Sequence, residues 1–160
     1  MQLSVGARVV IAVALAIAAG IASRWIKQVY PQPVFGLETT FSQDNANAII
    51  KASPDVVALR KSIYIDFLFI PCYTALLWFL CMCAGNRLFA AGALVAGALD
   101  AFVENPIMLL EIDGRSNKVL TFLKALGSWT KWLLLGVVIV YLVFAGFVAL
   151  KQSLALKLRR

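Results

Sequence analysis

Apolar positions along this chain neither alternate nor recur as a stripe; they run on. Four apolar stretches, at residues 5–23, 62–83, 88–110 and 118–150, each reach the roughly 20 residues a helix needs to cross a bilayer. A helix that is apolar all round belongs in lipid or in the core of a large protein, and 160 residues leave too little polar sequence to enclose four of them. The pattern therefore predicts an all-α fold, a bundle of four transmembrane helices in a single membrane domain. Small residues suggest where the helices approach closely. Ala12, Ala16 and Gly20 form one ridge, and Gly92, Ala93, Ala96 and Gly97 form another. The first stretch also has the cationic start and Gly20-Ile21-Ala22 pattern of a cleaved secretory signal, but it is taken as a retained span.

Between spans one and two lies the one long polar stretch, residues 28–61. Arg24, Trp25 and Lys27 mark an interface before it, and Pro31 and Pro33 stop the first helix. Ser42 is placed to cap a short helix through Lys51, and Ser53-Pro54-Asp55 reads as an N-cap followed by proline at the first helical position. A short extramembrane helical cap is expected here, with the second helix protruding to meet it. Pro71 should bend span two, Gly85 should make a left-handed turn into span three, and Pro106 should kink the far end of that span. Glu111 to Lys118 reads as a polar turn around Asp113-Gly114. Span four is apolar for so long that it must protrude, tilt or break near Gly127-Ser128.

Composition narrows the function classes. With 62% hydrophobic and 14% charged residues, the chain is unlike a soluble enzyme or a disordered protein. The absence of histidine removes His-ligated haem, His-based metal sites and Ser-His or Cys-His catalysis. Cys72, Cys81 and Cys83 lie in one apolar run and read as packing residues, not as a disulfide framework or metal site. No cofactor and no metal is expected. The net charge of +7 does not point to nucleic acid here, because Lys151, Lys157, Arg159 and Arg160 follow the last span as a basic tail, residues 151–160, suited to anionic headgroups. That tail shares a side with Arg8 and Arg87. The opposite side spreads Arg24, Lys27, Lys51, Arg60, Lys61, Arg115 and Lys118 over about twice the length. The density of positive charge favours both termini in the cytoplasm, and the chain is expected in a cell inner (plasma) membrane.

The informative residues are ionisable groups inside apolar segments: Asp66, Asp100, Glu104, Lys124 and Lys131. Each costs a few kcal/mol or more at the bilayer centre unless it is paired or hydrated. Asp100 and Glu104 are four apart and share a helix face; Lys124 and Lys131 are seven apart and do the same. At about 1.5 Å per residue all five fall in the outer half of the bundle or near its midplane. Acids of spans two and three are expected to meet the lysines of span four, with Asn105, Tyr64 and Tyr73 adding hydrogen bonds. Such a cluster is either an ion-pair network that fixes helix pairing or the lining of a polar cavity. Asp66 and Lys124 also have the option of reaching the headgroups.

Several of these residues carry a resemblance. Phe41-x-x-Asp44-x-Ala46-x-x-Ile49-Ile50, then Asp66-Phe67-Leu68-Phe69-Ile70-Pro71, then Ala98 to Asn105 with its Asp100, Glu104 and Asn105, and a lysine-bearing last span resemble a family of uncharacterised bacterial four-helix integral membrane proteins. The resemblance implies architecture and a choice of polar residues, but no activity. The leading expectation is a non-enzymatic membrane protein that binds a small or lipidic ligand, or a membrane partner, through an outer-half cavity lined by Asp66, Asp100, Glu104, Asn105, Lys124, Lys131, Tyr64 and Tyr73. One alternative is a proton-coupled carrier of small solutes that uses Asp100 or Glu104. Another is an intramembrane carboxylate hydrolase. Tyr64-Ile65-Asp66 and Gly97-Ala98-Leu99-Asp100 loosely resemble the paired signatures of intramembrane aspartyl proteases, but Ile65 intervenes in the first and Leu99 replaces glycine in the second. No catalytic residue is assigned.

Overall fold

The computed structural model describes residues 4–32 and 34–157, and among them there is no strand. The elements are α1 (Val5–Val29), α2 (Phe35–Thr39), α3 (Gln43–Ala52), α4 (Val56–Cys83), α5 (Arg87–Leu99), a π turn (Asp100–Glu104), α6 (Asn105–Ile112) and α7 (Lys118–Lys157). Four helical stretches are long and apolar enough to cross a membrane: Val5–Val29, Val56–Cys83, Arg87–Ile112 and Lys118–Gln152. The fold is all-α, a four-helix bundle with the short helices α2 and α3 set against one end.

Local chemistry explains most boundaries. Ser4 caps α1 through its hydroxyl, which accepts from the Ala7 N–H at 3.2 Å. The helix runs to Val29, so Arg24, Trp25 and Lys27 lie on it instead of after it, and it ends just before Pro31. Pro33, Arg159 and Arg160 lie outside the described residues, as does the side chain of Lys157. Ser42 caps α3 as expected, accepting from the Asn45 N–H at 3.4 Å. The cap of α4 differs from expectation. Asp55, not Ser53, is the N-cap, and its carboxylate accepts from the Ala58 N–H at 2.9 Å. Ser53 instead ends α3, and its hydroxyl meets the Tyr30 hydroxyl at 3.0 Å. Gly85 takes the left-handed conformation, with φ +80°, and Asn86 then caps α5 with bonds to Leu88 and Phe89.

Span three is not one regular helix. The residues directly before Pro106 form the π turn, in which the Asn105 N–H bonds to the Asp100 carbonyl. Proline lacks an N–H and crowds the carbonyl four residues back, so a widened turn at this point relieves what a straight α-helix would not tolerate. Span four shows no break: α7 continues through Gly127-Ser128 for 40 residues. Gly127 has a different use. A Cβ there would lie 3.2 Å from Val103, so glycine lets α7 press against the π turn. The Gly92–Gly97 ridge packs inward, with Ala93 and Ala96 fully buried. The Ala12–Gly20 ridge does not. Ala16 and Gly20 face outward, and α1 meets α4 through Ala19 and Ala22.

Two apolar cores bracket the middle of the bundle. At the α2–α3 end, Tyr30, Leu37, Ala46, Ile50, Leu59, Ile63 and Met108 pack together. At the other end Cys81, Ala90 and Val138 do so, with Phe89 stacked on Tyr141 at 4.2 Å. The polar residues lie between them.

Candidate functional site

Lys131, on α7, points inward with its side chain 5% exposed. Its ammonium donates to Glu104 Oε1 at 2.7 Å and to Asp100 Oδ1 at 3.3 Å. The π turn presents both carboxylates to one ammonium, since Asp100 and Glu104 are its first and last residues. From α4, the Tyr73 hydroxyl donates to the other oxygen of Asp100 at 2.7 Å. One turn or so away, Asn105 Nδ2 donates to Asp66 Oδ2 at 2.8 Å.

Lys124 lies elsewhere. Fully buried, it donates to Glu111 Oε2 at 2.7 Å and to the backbone carbonyl of Leu37 in α2. The Thr121 hydroxyl donates to the second Glu111 oxygen at 2.8 Å. A carboxylate and a backbone carbonyl thus hold this ammonium, and α2 is tied to α7 through its backbone. Arg60 and Asp113 form a further, half-exposed ion pair near the same end of the bundle.

The tie brings Glu38 over the lysine–carboxylate cluster. Glu38 lies outside the four long helices. Burial pushes its carboxyl up to about 7, and the carboxylates of Glu104, Asp100 and Asp66 push the same way against the lowering effect of Lys131.

A cavity of about 300 Å³ opens between α4, the π turn and α7. Glu38, Asp66, Asp100 and Lys131 make its charged end, and Phe69, Tyr73 and Trp132 line its flank. Leu77, Leu135 and Ile139 make its apolar end. A smaller chamber of about 50 Å³ shares Glu38 and Asp66 with it and adds Ser62, Asn105 and Met108. Small ligand pockets have this make-up, with mostly apolar walls and a few convergent polar groups.

Of the residues singled out in the sequence, Asp66, Asp100, Lys131 and Tyr73 line this cavity, Asn105 lines only the smaller chamber, and Glu104, expected in the lining, lies behind it in its pair with Lys131. Tyr64 does not: it is 56% exposed on the outer side of α4. Lys124 sits in its own pair with Glu111, a residue expected in a polar turn that is instead buried in α6. Glu38, Glu111, Thr121 and the Leu37 carbonyl were not foreseen. Glu111 carried a readable signal. It lies seven residues after Glu104, as Lys131 lies seven after Lys124, so two antiparallel helices pair both acids with both lysines in one register. Glu38 carried none, because its place depends on where α2 docks.

No protein-family model, curated protein or solved structure matches the chain. The class defined by the fold and the site is an all-α bundle of four helices of membrane-crossing length around a charged cavity.

Proposed function

We propose that the chain is a multi-pass protein of the bacterial inner membrane, with cytoplasmic termini, that binds a small or lipidic ligand in the cavity between spans two, three and four. The cavity itself carries the reading: about 300 Å³, charged at one end and apolar at the other. Outward side chains support the membrane setting, since Val9, Val13 and Ile17 on α1 and Val140, Phe144 and Phe147 on α7 are all more than half exposed. The topology supports the orientation. Gln43 bonds the Ser116 carbonyl at 2.9 Å, joining α3 to the α6–α7 turn, and both termini belong to the opposite, more densely basic side.

A binding role suits the carboxylates better than hydrolysis does. Asp66 is held by Asn105, and Asp100 by Lys131 and Tyr73, so each aspartate is engaged by another residue. The proton-coupled carrier remains a second reading, favoured by the near-neutral titration of Glu38 at the cavity mouth. A carrier would lose flux in proteoliposomes on Glu104→Gln while the fold survives.

Native mass spectrometry tests the leading reading. Wild-type protein released from lipid nanodiscs should retain a bound mass that Leu135→Trp, which fills the apolar end, lacks at unchanged helicity. A bare wild-type protein, or the same adduct on both, would overturn it.

A further inference from the structure

We infer that the ligand of this cavity is an amphipathic organic cation, an amine on a compact apolar body, whose ammonium sits against Glu38 and Asp66. The inference rests on the ligand-binding reading above and names the chemistry of that ligand.

The first support is a surplus of acceptors. Glu38 Oε2 and Asn105 Oδ1 are buried and accept no hydrogen bond, and the Asn105 side chain is wholly enclosed in the wall of the smaller chamber. The donors that line the charged end already hold partners, and the unpartnered Ser128 and Thr74 hydroxyls lie outside the lining of both chambers. Lys131 is held by Asp100 and Glu104, the Tyr73 hydroxyl by Asp100, the Ser62 hydroxyl by the Leu59 carbonyl, and Asn105 Nδ2 by Asp66. Buried acceptors without donors are costly, so a fitting ligand brings N–H groups with it.

The second support is charge. Glu38 is faced by Asp66 from α4, by Asp100 and Glu104 from the π turn, and by Lys131 and Lys124 from α7. Lys124 is matched by Glu111, which leaves one lysine against four acids. Neither α1 nor α3 adds a charged residue to the lining of either chamber. An anion would meet like charge, and a neutral molecule would leave the excess in place.

Shape and rings supply the third. Phe69 and Tyr73 lie with centroids 5.1 Å apart, and the Lys131 ammonium already sits 5.1 Å from the centroid of the Trp132 ring. Aromatic faces attract cations most strongly when water is excluded. Beyond them, Leu135 and Ile139 suit an apolar body.

Ammonium and proton compete for the same carboxylates, so affinity rises with pH as Glu38 ionises, and binding below neutrality releases a proton. Three probes of one shape separate the possibilities: 1-adamantanamine, 1-adamantanol and 1-adamantanecarboxylate, titrated by calorimetry into the full chain in zwitterionic nanodiscs. The amine should bind about tenfold more tightly than the alcohol or better, a difference of about 1.4 kcal/mol. The carboxylate should not bind. Amine affinity should fall between about pH 8 and pH 5.5, and Glu38→Gln should weaken binding at the higher pH and flatten that dependence. Should Glu38→Gln not fold, Asp66→Asn carries the same loss of affinity. Equal binding of alcohol and amine, both lost in Leu135→Trp, would overturn the cationic class while leaving the cavity a ligand site. Failure of all three probes on a protein that still carries an endogenous mass, absent in Leu135→Trp, overturns the class in the same way. A bare protein in mass spectrometry removes the ligand reading itself.

Discussion

Replacing Lys124 with methionine isolates the energetics on which the bundle depends. Methionine keeps the unbranched apolar stem of the side chain, one atom shorter, but removes the ammonium. Glu111, with 1% of its side chain exposed, would keep only its hydrogen bond from Thr121. Breaking a buried ion pair by removing one partner costs about 3–5 kcal/mol, because the remaining charge has no compensation. The Leu37 carbonyl loses its donor as well, adding about 1–3 kcal/mol where it stays dry. In a chain of this size each kcal/mol moves Tm by roughly 2–4 °C, so Lys124→Met should melt at least about 6 °C lower. Lys124→Met with Glu111→Met removes both charges and should return to within about 2 kcal/mol of the wild type. Asp113→Asn provides the contrast. Its pair with Arg60 is 35% and 42% exposed and should matter by less than about 1 kcal/mol. Thermal melting in one detergent, followed by circular dichroism, measures all four proteins. A single variant no worse than Asp113→Asn, or a double variant as damaged as Lys124→Met alone, would refute the reasoning.

Two glycines of one ridge should behave differently. A Cβ on Gly97 would collide with the Thr74 side chain, so Gly97→Ala should cost about 1–3 kcal/mol, partly relieved by Thr74→Ala; Gly92→Ala meets Val138 at an ordinary 3.7 Å and should be tolerated, as paired melts would show. The Glu38 carboxyl, raised to about 7 in the fold from an ordinary 4.5, favours the protonated native state. Its contribution to stability is therefore complete below about pH 4.5 and lost as pH rises through 7, and Glu38→Gln should flatten that limb of a Tm-against-pH curve.

How far the sequence carried differs by residue. The four long helices were legible because continuous apolar runs leave few alternatives, and Gly85 and Ser42 were legible because turn and cap chemistry is local. Asp55 took the capping place assigned to Ser53, a shift of two residues between neighbouring groups that can each accept from a helix N-terminus. Asp100, Glu104 and Lys131 stood out because charge in an apolar run demands a partner, and each found one. Lys124 was expected to join Lys131 among the acids of spans two and three, at the wrong level. Its true partner, Glu111, sat at the edge of an apolar run, where a solvated turn and a buried helix end look alike. Tyr64 illustrates the opposite error, because a helix without a polar stripe does not reveal which side faces inward. Glu38 and the Leu37 carbonyl reach the cluster only by tertiary docking of the five-residue helix α2, which no local pattern encodes.

The central claim is that opposite charges on separate membrane-crossing helices meet inside the bundle. The most direct measurement is solid-state NMR on protein reconstituted in lipid bilayers, with 15N in the lysine ammonium groups and 13C in the glutamate carboxylates, assigned through Lys131→Met and Glu104→Gln. The account predicts strong dipolar dephasing between Lys131 and Glu104, as direct contact at 2.7 Å requires, in an ammonium protected from exchange with water. A Lys131 signal with no carboxylate neighbour and free exchange would contradict it.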